Sequence, residues 1–285
     1  MTYALDASQR QSYRQNGYLF PLDVFDARQV DAIRAAIAEA RTDADRLGIG
    51  ADWDRLIRAN AHYLLPFVCR VATEPRLLES VASILGPNLL LWSAEFFIKP
   101  AKTDKIVTWH QDLTYWGLGE TDDEITAWVA LSDVSVESGC MRFLPGSHQQ
   151  QILPHRDTFD EANLLSRGQQ VDVEVDENEA VNVLLKPGQV SLHHGRIFHA
   201  SGPNSSDHDR VGLVFRFLTP AVRQQVAQRD YAMQVRGYDD QGNWIHVAPP
   251  TRNFARDDLA LYERIREDQR QALADGATEE LHAAY

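Results

Sequence analysis

The sequence predicts a mainly β protein with flanking helices, in which a double-stranded, cupin-like jelly roll forms the core. Short strand-like runs, separated by Gly, Pro and Asp, begin at Leu89. The chain before them carries helical periodicity and capping residues instead. We find no internal repeat and no low-complexity linker, so we expect the helices to pack outside the jelly roll.

The 285 residues are expected to form a single domain. Its predicted parts are a mostly helical outer layer over residues 1–87, a jelly-roll core over 88–220, and a C-terminal extension with a helix over 221–285.

Capping patterns and proline positions define the predicted N-terminal helices. Asp6 and Asp26 each precede a Gln by three residues, which is a capping-box pattern. Pro66 is expected to stop the third helix, and Pro75 to stand in the first turn of the fourth. The predicted helices run from Asp6 to Gly17, from Asp26 to about Leu47, from Asp52 to Leu65, and from Thr73 to Gly86.

The predicted strands are short, and turn-forming residues separate them. They are Leu89–Lys99, Ile106–Asp112, Ile125–Leu131, Met141–Phe143, Ala180–Leu184, Gln189–His193 and Arg210–Leu218. An amphipathic helix from Asp257 to Ala274 is expected to close the fold.

Composition excludes several classes of partner. The net charge of −13 argues against nucleic acid and against an anionic membrane surface. The sequence has no apolar run long enough to span a bilayer and no signal-peptide pattern at its start. Its two cysteines, Cys69 and Cys140, lack ligand spacing. We therefore expect a cytoplasmic monomer or homodimer that acts on a small molecule.

Two potential metal ligands lie in the predicted strand Ile106–Asp112. Residues two apart on a strand point to the same face, so His110 and Asp112 present an imidazole and a carboxylate side by side. A second imidazole would complete the ligand set of non-haem Fe(II) oxygenases. A His-x-Asp pair alone is more often a surface pair, so the metal prediction depends on a third ligand downstream.

The segment 187–204 supplies three further histidines. His193 and His194 are adjacent, so a strand sends them to opposite faces. His199 lies where the chain enters a Gly-Pro-Asn turn, and Arg210 begins an apolar strand eleven residues later. The planar guanidinium of such an arginine can bind both oxygens of a carboxylate.

Three motifs together carry a family resemblance. They are Trp109-His110-Gln111-Asp112, the segment from Glu137 to His148, and His199-Ala200-Ser201 with Arg210. In order and spacing the chain resembles the phytanoyl-CoA dioxygenase family of Fe(II)/2-oxoglutarate-dependent oxygenases, over about residues 8 to 220. The resemblance also implies the jelly-roll fold.

By this resemblance His110, Asp112 and His199 are the iron ligands. It further implies that 2-oxoglutarate and O2 occupy the remaining iron positions, and that succinate and CO2 are released as an unactivated C–H bond is hydroxylated. Because a carboxylate stands at Asp112, hydroxylation is expected rather than halogenation. Desaturation and cyclisation remain alternatives.

The resemblance also implies which residues bind 2-oxoglutarate. Arg210 and Ser201 would bind its distal carboxylate, and Trp128 would line its pocket. Arg216 shares a strand face with Arg210 and is the alternative clamp, although it lies further from the turn. Among the other histidines, we expect His193 or His194 to be packed or hydrogen-bonded, and His148 to stabilise a turn.

The substrate residues are predicted from position alone. Tyr115 and Trp116 follow the iron motif, while Arg55 and Arg58 lie on a segment that could cover the mouth of the site. Aromatic faces attract ammonium groups, and arginines bind carboxylates or phosphonates. We therefore expect a small polar metabolite, for example an aminoalkylphosphonate, a betaine or an amino acid. The aromatic residues are equally typical of packing between a helical layer and a barrel.

Two alternatives to this enzyme remain at this point. One is a metal-binding jelly roll that acts as a sensor or binding module without turnover. The other is a zinc hydrolase, which shares His and Asp ligands but does not explain Arg210.

Overall fold

The computed structural model describes residues 3–160, 162–165 and 167–274, without the side chains of 271–273. In this part of the chain, no helix is long and apolar enough to cross a membrane. The described helices are α1 (Ala7–Asn16), α2 (Ala27–Arg46), α3 (Trp53–Arg58), α4 (Pro66–Ala72), α5 (Pro75–Leu85) and α6 (Arg256–Ala274).

The helix starts predicted at Asp6 and Asp26 are confirmed. In both capping boxes the Asp side chain accepts a hydrogen bond from the backbone N–H of the Gln three residues on. Gly17 ends α1 in the left-handed conformation, with a φ of 82°. The Gln side chain in turn accepts from the Asp backbone N–H, so two otherwise unpaired donors at each helix start are satisfied.

The helix predicted over 52–65 is wrong in its extent. α3 ends at Arg58, and Asn60 takes the left-handed conformation with a φ of 56°. A single 3₁₀ turn follows over Ala61–Tyr63. Pro66 then begins α4 rather than ending a helix, because the first position of a helix needs no N–H donor.

The strands follow the predicted pattern with several additions. They are β1 (Tyr18–Asp23), β2 (Leu89–Lys99), β3 (Val107–His110), β4 (Glu124–Ala130), β5 (Met141–Phe143), β6 (His155–Arg156), β7 (Gln170–Val171), β8 (Val181–Asn182), β9 (Gln189–His193), β10 (His199–Ser201), β11 (Arg210–Leu218), β12 (Tyr231–Arg236) and β13 (Ile245–His246).

Two sheets pack face to face, as in a jelly roll. The larger has the strand order β1-β9-β4-β11-β2-β12-β13, and the smaller has the order β3-β10-β5-β8. All of these pairings are antiparallel except β12 with β13. Trp128 and Val214 of the larger sheet share one apolar cluster with Met141 and Phe143 of the smaller sheet. The mainly β fold class is therefore confirmed, whereas the division into three parts stays a prediction.

The two faces of the larger sheet have different roles. On β11, Leu213, Phe215 and Phe217 are fully buried and join the apolar cluster that contains the helices. The alternate residues Val214 and Arg216 line a cavity between the sheets. The two-residue period of the strand therefore separates a helix-facing core from a functional face.

The strand predicted to carry the iron motif is shorter than expected. β3 ends at His110, and Asp112 begins a 3₁₀ turn over Asp112–Thr114. The Leu113 N–H bonds the Gly195 carbonyl instead of extending the strand. His110 and Asp112 are therefore neighbours because the chain turns, and not because they share a strand face.

Candidate active site

A cluster of two histidines and one carboxylate lies at one end of the smaller sheet. His110 of β3 is paired directly with His199 of β10 in the strand register. The turn after β3 brings Asp112 Oδ1 to 3.3 Å from His110 Nε2 and 3.8 Å from His199 Nε2. The three ligand atoms lie within 4.8 Å of one another. This geometry is compatible with a single metal ion, whose bonds to such atoms measure about 2.0–2.2 Å.

Backbone hydrogen bonds orient both imidazoles. The Nδ1 atoms of His110 and His199 lie 2.9 Å and 3.0 Å from the carbonyl oxygens of Thr108 and Ile197, respectively. Each imidazole therefore carries a proton on Nδ1 and directs its Nε2 toward Asp112. Partners of this kind fix the tautomer and orientation of histidines that bind metals.

Gln111, between the two ligands of the motif, fixes the turn. Its side chain is fully buried and donates to the Arg196 carbonyl over 2.9 Å. Its amide oxygen accepts the Leu153 N–H, also over 2.9 Å. The position of Asp112 thus depends on hydrogen bonds from two distant parts of the chain.

The charges in this cluster suit a cation. Burial would raise the pKa of Asp112, but His199, His110 and Arg216 hold it well below its usual range. Burial and the adjacent His110 lower the pKa of His199 to about 4. At neutral pH the site therefore offers a carboxylate and a neutral imidazole, which are the forms that bind metals.

A buried arginine lines the cavity away from Asp112, and a buried lysine lies beside it. Arg210 is 1% exposed and Lys99 is fully buried, and the two residues face each other in the β2–β11 register. Lys99 Nζ donates to Ser201 Oγ over 2.7 Å and to the Gly202 carbonyl, and Arg210 donates to the Gly139 carbonyl. Neither forms an ion pair within the described residues. Uncompensated buried charges are unfavourable, so this end of the cavity suits an anionic ligand.

Aromatic rings enclose the guanidinium of Arg210. Its Cζ lies 5.5 Å from the Trp128 ring centre and 5.6 Å from that of Phe97. Gly212 makes this packing possible, because a Cβ there would lie 2.1 Å from the Trp128 ring. Arg210 Nε is buried without a hydrogen-bond partner among the described residues. The rings thus restrict the guanidinium to a narrow range of directions.

The residues predicted near the substrate divide into two groups. Tyr115 and Trp116 line the cavity. Arg58 does not line it but donates to the Leu164 carbonyl over 2.6 Å and covers the Phe97 ring. Arg55 lies outside the cavity, where it pairs with Glu263 across the α3–α6 contact.

Arg216 lines the cavity, away from the Arg210 end. Its guanidinium pairs with Glu95 at 2.6 Å and lies 4.5 Å from the centre of the Trp116 ring. Both charged side chains are largely buried. The alternative clamp of the sequence analysis is thus part of an ion pair in the cavity wall.

The remaining histidines have separate environments. His193 is buried in the cavity wall, with its ring 5.2 Å from that of His199. His194 follows β9 and pairs with Asp122 at 3.1 Å. His148 lies in the 3₁₀ turn Ser147–Gln149, where Nε2 lies 3.1 Å from the carbonyl oxygen at the C-terminal end of α1.

Two charged residues of this region, Glu95 and Lys99, were missed at the level of sequence. Both lie on β2, where a buried charge interrupts an apolar strand. That interruption is a signal that could have identified them. Asn60 lies on the segment that the sequence placed over the mouth of the site, and it lines the cavity.

Comparison with known proteins agrees with this geometry. The model of the family described as phytanoyl-CoA dioxygenase (PhyH) matches residues 13–212. The chain belongs to this family. A probable alpha-ketoglutarate-dependent hypophosphite dioxygenase of Stutzerimonas stutzeri is 27% identical over 227 residues, which cover 74% of this chain and 78% of that protein. The ectoine dioxygenase of Bordetella parapertussis is 28% identical over 158 residues, or 52% of this chain and 51% of the other.

A solved structure of the non-heme monooxygenase ThoJ in its apo form has the same fold. It matches with a TM-score of 0.83 and 31% identity, over 94% of this chain and 98% of that one. This PhyH family member is therefore an Fe(II)/2-oxoglutarate-dependent dioxygenase, and the readings as a non-catalytic module or a zinc hydrolase are not supported.

Proposed function

We propose that this PhyH family member hydroxylates an unactivated C–H bond of a small zwitterionic metabolite. The observation that carries the proposal is the Glu95–Arg216 ion pair in the wall of the cavity that contains the His110–Asp112–His199 cluster. A zwitterion can lie antiparallel to such a pair, with its cation near the carboxylate and its anion near the guanidinium.

In this proposal His110, Asp112 and His199 hold Fe(II). The buried Arg210 binds the distal carboxylate of 2-oxoglutarate, and the adjacent Lys99 adds a second positive charge beside it. Bound Fe(II) and 2-oxoglutarate supply oxidative decarboxylation to succinate and CO2, coupled to hydroxylation.

The other residues proposed to bind 2-oxoglutarate orient its carboxylate and enclose the Arg210 guanidinium. Ser201 Oγ accepts from Lys99 and is free to donate its own proton to the same carboxylate. Trp128 and Phe97 flank the Arg210 guanidinium and limit the directions in which it can approach a ligand. These apolar walls also exclude water, which strengthens the charge interactions between them.

The substrate would contact the opposite part of the cavity. Trp116 and Tyr115 offer aromatic faces there, and the Arg216 guanidinium stacks on Trp116. A buried ion pair contributes little to stability by itself, so a role in binding explains its place in a cavity wall. The name of one relative fits this class, because ectoine is a small zwitterion.

The test is substrate-dependent succinate release, coupled to O2 uptake, over a panel of amino acids, betaines and aminoalkylphosphonates. Mass spectrometry of the products separates a gain of oxygen from a loss of two hydrogens, and so separates hydroxylation from desaturation. Turnover confined to apolar acyl compounds would contradict the zwitterion class.

Variants of the ion pair make the test specific. Glu95→Gln and Arg216→Lys should each lower kcat/KM for the best zwitterion by about 10- to 100-fold, because each disrupts a charged hydrogen bond. Glu79→Gln breaks another Glu–Arg pair, with Arg236 at 2.8 Å, which is partly exposed and lies outside the cavity, and it serves as the control. Equal effects of Glu95→Gln and Glu79→Gln would refute the assignment.

A further inference from the structure

Asn60 lies in the wall of the cavity and carries a buried amide. It lies between α3 and the following 3₁₀ turn, is 3% exposed, and lines the cavity. Its φ of 56° lies in the left-handed region, which asparagine adopts more readily than most other residues with a side chain.

A hydrogen-bond chain fixes the orientation of this amide. Asn60 Nδ2 donates to Gln269 Oε1 over 2.6 Å, and Gln269 Nε2 donates to Asp230 Oδ1 over 2.8 Å. Gln269 also lines the cavity. The hydrogen-bond chain therefore joins α6 to the segment after α3.

Asp230 sets the donor-to-acceptor direction of every hydrogen bond in this series. Its carboxylate is 2% exposed and accepts from the Trp92 indole N–H over 2.9 Å and from the Tyr231 backbone N–H over 2.8 Å. Both of these groups can only donate, so Asp230 is an acceptor. Gln269 must then present its N–H to Asp230 and its oxygen to Asn60, and Asn60 must present its N–H to Gln269.

This series of hydrogen bonds leaves one acceptor, the amide oxygen of Asn60, without a donor. Asn60 Oδ1 is buried and has no hydrogen-bond partner among the described residues. A buried amide oxygen without a partner is unfavourable, and native structures usually satisfy such atoms. The fixed chain prevents the amide from turning to avoid this.

We propose that Asn60 Oδ1 accepts a hydrogen bond from a protonated amine of the substrate. This inference rests on the proposed function and deepens it. Each donated hydrogen bond polarises the next amide, and the chain begins at an anionic carboxylate, so Oδ1 is a strong acceptor that favours a cationic donor. The indole of Trp92, oriented by the same carboxylate, adds an aromatic wall that attracts ammonium groups.

The inference separates two kinds of zwitterion. An amine with N–H bonds satisfies Asn60, whereas a quaternary ammonium group has no proton to donate and leaves the oxygen without a partner. Sites built to bond an N–H discriminate strongly against analogues that lack it. The substrate is therefore an amino acid or an aminoalkylphosphonate, and not a betaine.

The test measures binding to the Ni(II)- and 2-oxoglutarate-loaded protein by ligand-observed NMR. The probes are three matched pairs: glycine and glycine betaine, β-alanine and its betaine, and 2-aminoethylphosphonate and its N-trimethyl counterpart. The wild type should bind the amine of at least one pair at least about tenfold more tightly than its methylated partner. Asn60→Leu should abolish that preference.

Two further variants keep the result interpretable. Asn253→Leu also removes an asparagine that donates one hydrogen bond, to Asp43 outside the cavity, and should keep the preference. Gln269→Leu frees the Asn60 amide to turn, so the preference should fall even though Asn60 is intact. Thermal unfolding of each variant checks that it folds, and Gln269→Leu replaces Asn60→Leu if the latter does not.

Each failure has a separate meaning. If methylated probes bind the wild type as tightly as the amines, or Asn60→Leu keeps the preference, the inference is overturned and the zwitterion proposal stands. If no probe of any pair binds the wild type, both the inference and the proposed substrate class are overturned.

Discussion

Lys99 makes the binding of 2-oxoglutarate depend on pH. Burial and the neighbouring Arg210 charge lower the pKa of the Lys99 ammonium to about 7. A bound carboxylate would favour the charged form and raise that pKa again. Because the complex then holds a proton that the free protein loses near neutrality, affinity must fall as the pH rises above about 7.

The size of the effect follows from linkage. With a pKa of about 7 in the free protein, Lys99 is mostly protonated at about pH 6, but only about a tenth of it is protonated at about pH 8. If the bound form stays protonated throughout, the Kd for 2-oxoglutarate rises about tenfold over this range, or about 1.4 kcal/mol. About one proton should be taken up per ligand bound at the higher pH.

Titration calorimetry of the Ni(II)-loaded protein, in two buffers of different ionisation enthalpy, measures both quantities. Lys99→Met should weaken binding at the lower pH and flatten the profile, whereas the exposed Lys186→Met should behave as the wild type. A constant Kd across this range in the wild type, without proton uptake, would refute the reasoning.

Three other predictions concern the metal, the co-substrate and the core. His199→Ala should abolish the visible charge-transfer band that forms on anaerobic addition of Fe(II) and 2-oxoglutarate, while the exposed His208→Ala keeps it. Arg210→Met should raise the KM for 2-oxoglutarate at least about 10-fold, and the exposed Arg223→Met should not. Phe143→Ala should lower the free energy of unfolding in urea by about 3–5 kcal/mol, because its ring is fully buried; a loss below about 1 kcal/mol would contradict that packing.

Much of this fold follows from local chemistry that the sequence displays. The capping boxes at Asp6 and Asp26 depend on residues three apart, and strands such as Leu89–Lys99 and Arg210–Leu218 carry their own alternation and turn signals. The three residues of the metal cluster could also be predicted, because the motifs around His110 and His199 resemble those of the family. These features need no knowledge of distant contacts.

Local signals failed where tertiary contacts decide the conformation. The chain turns after His110 because Leu113 bonds Gly195 and Gln111 bonds Arg196, and neither contact is visible in the motif itself. Likewise, the strand His199–Ser201 is too short to carry a visible alternation of polar and apolar residues. Its pairing with the two neighbouring strands defines it instead.

The sequence by itself predicted the fold class, the candidate metal ligands and Arg210 as the carboxylate clamp to be tested. Only the tertiary structure brought Lys99 beside Arg210, paired Glu95 with Arg216, and connected Asn60 through Gln269 to Asp230. The physical reason is distance along the chain. A charge or an amide reveals its partner in sequence only when the partner lies within a turn or a strand period, whereas the partners in this cavity lie on different strands and helices.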